Sequence, residues 1–362
     1  MGSKAKAKPT ISDIPGISGQ TVQKLKNAGF YYAEDLLIFS PTKLSEIAGI
    51  SKELAEKVLD KVAELLYSVK KEQTLREFIE EAGKKKFMST GSFNLNRLLQ
   101  GGWCVGEVTE IAGEYATGKS QAIYTALAIA FLRPLETSKI QEILNLEIKP
   151  TKRRKKEEKK AETGSKKKKG GDITLTHYGL DDGDITVLLI DAERTFNWQR
   201  FEKILARFGL SLGDVGDRFF IHRPRNSWEL KAEIDRLHRF VRENNTKLIA
   251  IDSITKLPRA DFSGVGQLYE RQRLILEMTE KLRRIAQTYD IVVLVTNQVV
   301  AVPGSFGFGY KPVGGHVLGH TVDTRLLLVK SGEYRRILIL DSSWLPPGEC
   351  KIKISEGGIE DA

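Results

Sequence analysis

Hydrophobic positions change their period twice along this chain of 362 residues. Between residues 11 and 67 apolar side chains recur at helical spacing, in an amphipathic run at 21–28 and a longer one at 52–66. A glycine-centred turn precedes each run: Ile14-Pro15-Gly16-Ile17-Ser18-Gly19 the first, Ile47-Ala48-Gly49-Ile50 the second. Two such turns, each opening a helix, look like paired helix-hairpin-helix motifs. Their backbone N–H groups suit a DNA phosphate, although an αα-hairpin used only for packing or partner contact has the same pattern. Residues 68–87 are strongly charged, with helical spacing around 74–82, and read as a linker between domains.

From Met88 onward short apolar runs alternate with helical stretches, which indicates an α/β domain around a mostly parallel sheet. Ser89-Thr90-Gly91-Ser92 can cap a helix running through Leu98. Strands are expected at 107–112, 185–190, 247–252 and 291–298, and a helix at 121–132. The rhythm breaks at 135–184, where Lys/Arg and Gly dominate. Few apolar side chains and like-charge repulsion leave nothing to offset ordering entropy, so this stretch reads as a disordered insertion. The expected organisation is a basic tail (1–10), a small all-α helix-hairpin-helix domain (11–67), a linker (68–87) and an α/β core (88–362) carrying the insertion.

Charge alters this picture less than its total suggests. The net charge is +10, yet residues 152–169 alone hold eleven Lys/Arg against three Glu, and Lys4, Lys6 and Lys8 add three more positive charges. The remainder of the chain is close to neutral. A nucleic-acid reading must therefore rest on local residues, and the basic insertion itself fits either an electrostatic DNA contact or a solvated linker. Cys104 and Cys350, far apart in sequence, argue against a disulfide framework and for a reducing, intracellular setting. The basic N-terminus has no apolar region behind it, and no apolar run is long enough to span a bilayer.

The chemistry is concentrated in Gly113-Glu114-Tyr115-Ala116-Thr117-Gly118-Lys119-Ser120, followed by Gln121. It fits the phosphate-binding pattern G-x-x-x-x-G-K-[ST] in its required place between a strand and a helix. Glycines let the backbone approach phosphates, Lys119 supplies a point charge, and the Ser120 hydroxyl can bind Mg²⁺; ATP and Mg²⁺ are thus the expected cofactors. Asp252 ends the strand at 247–252, the usual form of the second Mg²⁺-side carboxylate. Glu193, just past the strand at 185–190, is a candidate base for a water attacking the γ-phosphate, or a loop acid. Gln298 can sense the γ-phosphate or cap its own loop. The glycine-rich segment 303–312 carries Phe306, Phe308, Tyr310 and Lys311, which suit base stacking on single-stranded nucleic acid; the loop 259–267 leads from Arg259 into a helix bearing Arg271. In isolation both could be surface connections.

Taken in order, these segments resemble the archaeal RadA recombinases of the RecA superfamily. The resemblance extends to Pro312-Val313-Gly314-Gly315-His316-Val317-Leu318-Gly319-His320 and Asp341-Ser342-Ser343-Trp344-Leu345-Pro346. It implies a RecA-like ATPase core with catalytic Glu193, metal-side Asp252 and γ-phosphate sensor Gln298. It also implies that His320, Asp341 and Pro346 contact ATP bound by an adjacent protomer of a filament or ring. Single- and double-stranded DNA are the implied partners, held by the loops at 259–267 and 303–312, with recombination mediators or a RadA partner besides. The implied activity is DNA-dependent ATP hydrolysis with strand exchange; the alternative is an accessory RadA-like paralogue. Three departures bear on that choice. Val265 stands where the family usually has an arginine, the family's Phe-x-x-Ala linker motif reads Phe78-Ile79-Glu80-Glu81, and the basic insertion is additional.

Overall fold

The computed structural model describes residues 8–69, 74–82, 85–146, 177–301, 309–314 and 318–362. Its centre is a nine-stranded sheet. In chain order the strands are β1 (Val108–Gly113), β2 (Thr186–Asp191), β3 (Phe219–His222), β4 (Thr246–Asp252), β5 (Val292–Asn297), β6 (Thr324–Ser331), β7 (Tyr334–Ser342), β8 (Glu349–Ser355) and β9 (Gly358–Asp361). They lie in the order β9-β8-β7-β6-β1-β5-β4-β2-β3. From β6 to β3 all pairings are parallel, and β7, β8 and β9 continue from β6 as an antiparallel edge.

Alternation along the central strands divides the core into two layers. Leu188, Ile190, Ile249, Ile251, Val293 and Val295 face one layer, while Val187, Leu189, Leu248, Ala250, Val292 and Leu294 face the other. The first layer is built by the helices Ser227–Glu243 and Leu268–Tyr289, the second by Lys119–Ile129 and Trp198–Arg207. With both faces covered, these strands must be apolar throughout, which is why they read as continuous runs.

The N-terminal unit holds the helices Gly19–Asn27, Pro41–Ala48 and Lys52–Val69. Ser18 and Ser40 cap the first two, each accepting a backbone N–H through its side chain, and Gly49 closes the second in the left-handed region at φ 60°. Its core residues Leu25, Phe30, Leu36, Leu44 and Val58 belong to the same apolar cluster as Leu230, Ile234 and Leu282 of the ATPase helices. The unit therefore does not stand apart on its linker. Asp35, fully buried, sits in this seam and accepts from Arg242 Nη1 (2.6 Å) and Tyr289 OH (2.6 Å).

His238 lies in the same seam, stacked on Phe30 at 5.4 Å and edge-on to Phe39 at 5.0 Å. Its Nδ1 is 3.2 Å from the Asp235 carbonyl while Nε2 is buried with no partner, so the neutral ring is the one that fits. Burial, aided by the charge of Lys281, lowers its pKa from 6.5 to about 4. Between those values the unfolded chain binds the proton and the folded one does not, so stability falls as pH drops through this window. The loss expected for this one group is on the order of 3 kcal/mol. Urea titrations at pH 7 and pH 4.5 should show a larger difference for wild type than for His238→Phe; equal differences would refute the assignment.

The structure corrects one expectation. The stretch 135–184 is not a single disordered insertion, because Thr137–Leu146 is a helix whose Ile140 and Leu144 pack with Phe87, Cys104 and Tyr178. Tyr178 OH also donates to the Gly101 carbonyl at 2.7 Å, and the Ser89 N–H to the Tyr178 carbonyl at 2.9 Å. The ends of the stretch supply apolar residues to the core that the lysine-rich middle lacks. Residues 147–176 lie outside the described residues, as does much of the linker.

Candidate nucleotide site and the loops around it

Strand β1 delivers the phosphate loop, and the helix Lys119–Ile129 leaves it. Gly118 turns the chain at φ 105°, a backbone conformation that favours glycine. Lys119 folds back over the loop and donates to the carbonyls of Gly113 (2.8 Å) and Glu114 (2.7 Å). Burial lowers its pKa, opposed by the charges of Asp252 and Glu193. Thr117 Oγ1 donates to the Glu114 carbonyl at 2.9 Å, and Ala116 holds φ 58°. Tyr115 is 91% exposed at the loop's tip.

Two carboxylates stand at the C-terminal edge of neighbouring strands. Asp252 is buried at the end of β4, where Ser120 Oγ donates to Oδ2 at 2.6 Å and Thr296 Oγ1 to Oδ1. Burial raises its pKa, against the two hydroxyl donors and Lys119; the charge of Glu193 adds to the rise. Glu193 follows β2 in a turn built by Asp191, which accepts from the backbone N–H groups of Thr195 (3.0 Å) and Phe196 (3.2 Å). The Glu193 N–H donates to the Asp252 carbonyl at 2.8 Å, tying the two acids together.

Gln298 approaches from the third strand end. The buried Asn297 beside it is a junction: its Nδ2 donates to Glu110 Oε1 and to the Val313 carbonyl, both at 2.6 Å, and its Oδ1 accepts from Thr255 Oγ1 and the Gln298 N–H, both at 2.8 Å. The Gln298 side chain accepts from Arg259 Nη1 at 2.8 Å.

Lys119, Ser120, Glu193, Asp252 and Gln298 thus line one cavity of about 420 Å³. Three larger grooves, of about 780, 740 and 540 Å³, include no residue of the phosphate loop and neither strand-end acid, so chemistry rather than size selects the smaller. Arg200 and Arg335 also line it; Arg200 Nε donates to Gln121 Oε1 at 2.8 Å, and Arg335 Nε to the Thr117 carbonyl at 3.2 Å. Sequence reasoning missed both arginines. Neither stands in a motif, and only the packing of the edge strands beside the loop brings Arg335 there.

The remaining described candidates do not line this cavity. Arg259 faces Gln298, and Arg271 Nη1 donates to the Phe262 carbonyl at 3.2 Å. Tyr310 and Lys311 lie in a hairpin of Val299–Ala301 with Tyr310–Pro312, and a hydrogen bond to the Glu114 carboxylate raises the Tyr310 pKa. Phe306 and Phe308 lie outside the described residues. His320, Asp341 and Pro346 are exposed, and none of the three lines the cavity of their own chain. The side chains of Val265, Phe78 and Glu81 are outside the described set.

A phosphate loop after one parallel strand, with acids after two others and an amide after a fourth, defines a phosphate-loop nucleoside triphosphatase of the α/β class. The comparison with known families narrows the class. The Rad51 family profile matches residues 84–161 and 174–362, and that of the SAM-like helix-hairpin-helix tandem matches residues 9–64. The chain belongs to the Rad51 family. It is also 32% identical, over 364 aligned residues, to the DNA repair and recombination protein RadA of Aeropyrum pernix, with 100% of this chain and 99% of that protein covered. Among the described residues no helix is long and apolar enough to cross a membrane.

Proposed function

We propose that this chain is a DNA-dependent ATPase of homologous recombination, which assembles on single-stranded DNA and pairs it with a homologous duplex. The observation that carries this reading is the direct bond from Gln298, at the nucleotide cavity, to Arg259, at the root of the first candidate DNA loop. A nucleotide's γ-phosphate and a DNA strand then act on one connected set of side chains.

Residues 113–120 would cradle the triphosphate through the loop N–H groups, with Lys119 exchanging its two carbonyl acceptors for phosphate oxygens. The hydroxyl of Ser120 and the carboxylate of Asp252 are hard oxygen donors, already 2.6 Å apart, and suit Mg²⁺. When bound, Mg²⁺ would neutralise charge on the β- and γ-phosphates. Among the described residues no cluster of three or more His, Cys, Asp or Glu is arranged to hold a metal, so the other ligands would come from the nucleotide and water. Glu193 orients the attacking water, and Gln298 senses the γ-phosphate.

Arg259, Arg271, Tyr310 and Lys311, with Phe306 and Phe308, are the proposed DNA contacts. His320, Asp341 and Pro346, all three exposed, serve the ATP of an adjacent protomer in a filament or ring. Work inside the cell at the nucleoid, with mediator proteins, follows from this activity.

The test is strand invasion by the purified protein, using labelled single-stranded DNA and a homologous supercoiled duplex. Joint molecules are expected only with ATP and Mg²⁺. Intact DNA binding and ATP turnover without joint molecules would instead support an accessory paralogue, the reading that Val265 favours by removing a cationic phosphate contact.

A further inference from the structure

Glu193, whose carboxylate has to accept a hydrogen bond from water, has both oxygens engaged by protein donors. Ser253 Oγ donates to Oε1 at 2.9 Å, and Lys256 Nζ stands 2.9 Å from Oε2. The same ammonium donates to the Glu193 carbonyl at 3.1 Å, so Lys256 grips the side chain and the backbone of the turn together. Lys256 stands in no nucleotide-binding motif.

Lys256 opens the short helix Lys256–Asp261, and Arg259, one turn further on, bonds Gln298. One helical turn therefore holds the two residues expected on the γ-phosphate side of the cavity, Glu193 through Lys256 and Gln298 through Arg259. The ends of the helix are themselves tied. Thr255 Oγ1 donates to Asn297 Oδ1 before it, and Asp261 Oδ2 accepts from Ser227 N (2.7 Å) and Oγ (2.6 Å) at its end. Residues 259–261 of the candidate DNA loop are thus helical, and the chain runs on directly from the helix through the rest of that loop, residues 262–267. The Lys256 side chain is 41% exposed, and a hydrated ammonium on a flexible stem exchanges partners readily.

We propose that Lys256 is a positioning residue for Glu193: it restrains the carboxylate in the resting protein and releases it when DNA at the loop shifts the helix. The proposal rests on the ATPase reading above. It predicts that the restraint suppresses turnover in the absence of DNA, because the ammonium fixes the orientation of the carboxylate and competes with water for its lone pairs.

The experiment is steady-state phosphate release by the full chain with ATP and Mg²⁺, with and without single-stranded DNA. Lys256→Met should raise DNA-independent turnover about two- to fivefold, the factor that a partly exposed ion pair supports, and lower the stimulation by DNA correspondingly. Lys256→Arg, which keeps the cation, should stay near wild type. The gain should vanish when Lys256→Met is combined with Glu193→Gln. Unchanged affinity for a fluorescent ATP analogue would show the variant site to be folded. Loss of turnover both with and without DNA, or a gain that survives Glu193→Gln, would overturn the proposal. If DNA does not stimulate even the wild type, the DNA-dependent reading fails, while the basal gain still decides the role of Lys256.

Discussion

Lys119→Ala is expected to lower ATP turnover by at least about a hundredfold, the range found when one charge-stabilising donor is removed from a transition state. The ammonium rests on two carbonyls of its own loop, 2.8 and 2.7 Å away, at the mouth of the cavity that holds Ser120 and Asp252. Among the described residues no other lysine lines that cavity, and Arg335 is committed to the Thr117 carbonyl at its edge. The substitution also removes a charge that holds the Asp252 pKa down, so burial should push that carboxyl further toward its neutral form. Stability should change by only about 1 kcal/mol or less, because water can replace Lys119 at the two carbonyls. Phosphate release and thermal unfolding of the same preparation check both halves. Turnover within a few-fold of wild type would remove the phosphate loop from the mechanism.

The second large effect is structural. Asp35→Ala should destabilise the protein by about 3–5 kcal/mol, since breaking a buried pair leaves its partner charge uncompensated. Asp35 is fully buried and accepts from Arg242 Nη1 and Tyr289 OH, both at 2.6 Å, and from the Tyr32 N–H at 3.2 Å. Arg242 also donates to the Gly29 carbonyl at 2.8 Å and packs over the Tyr31 ring at 4.5 Å, so the seam between the helical unit and the ATPase helices converges on this residue. The melting temperature should fall by roughly 4–7 °C for a chain of this size. The N-terminal unit should become the first site of protease cleavage. A melting temperature within about 2 °C of wild type, with unchanged proteolysis, would mean that the seam is held by apolar contact alone.

Parts of this protein were readable before any coordinates because they are local. The glycines and Lys119 of the phosphate loop have to be adjacent in sequence to act together, and the buried central strands carry their apolar character whatever their neighbours. The places of Asp252 and Glu193 at the sheet edge were readable for a related reason: they stand one and three residues past the apolar runs ending at Ile251 and Ile190, where parallel strands end. The lysine-rich centre of the long stretch at 135–184 misled, since its composition concealed Ile140, Leu144 and Tyr178 at either side.

What only the tertiary structure decided is which distant side chains share a charge or a surface. Lys256 meets Glu193 because β4 and β2 are neighbours with Asp191 and Asp252 in register, an outcome of sheet order that no window of sequence contains. Arg335 reaches the phosphate loop because β6 pairs with β1 and carries the antiparallel edge beside it. Asp35 has its partners at Arg242 and Tyr289, more than two hundred residues away, and their burial together turns an apparent separate domain into part of one core. The sequence by itself determined the nucleotide chemistry and the parallel strands, through motifs and periods that act over a few residues. The long-range pairing of strands and helices decided how that chemistry is restrained and joined to the candidate DNA loop.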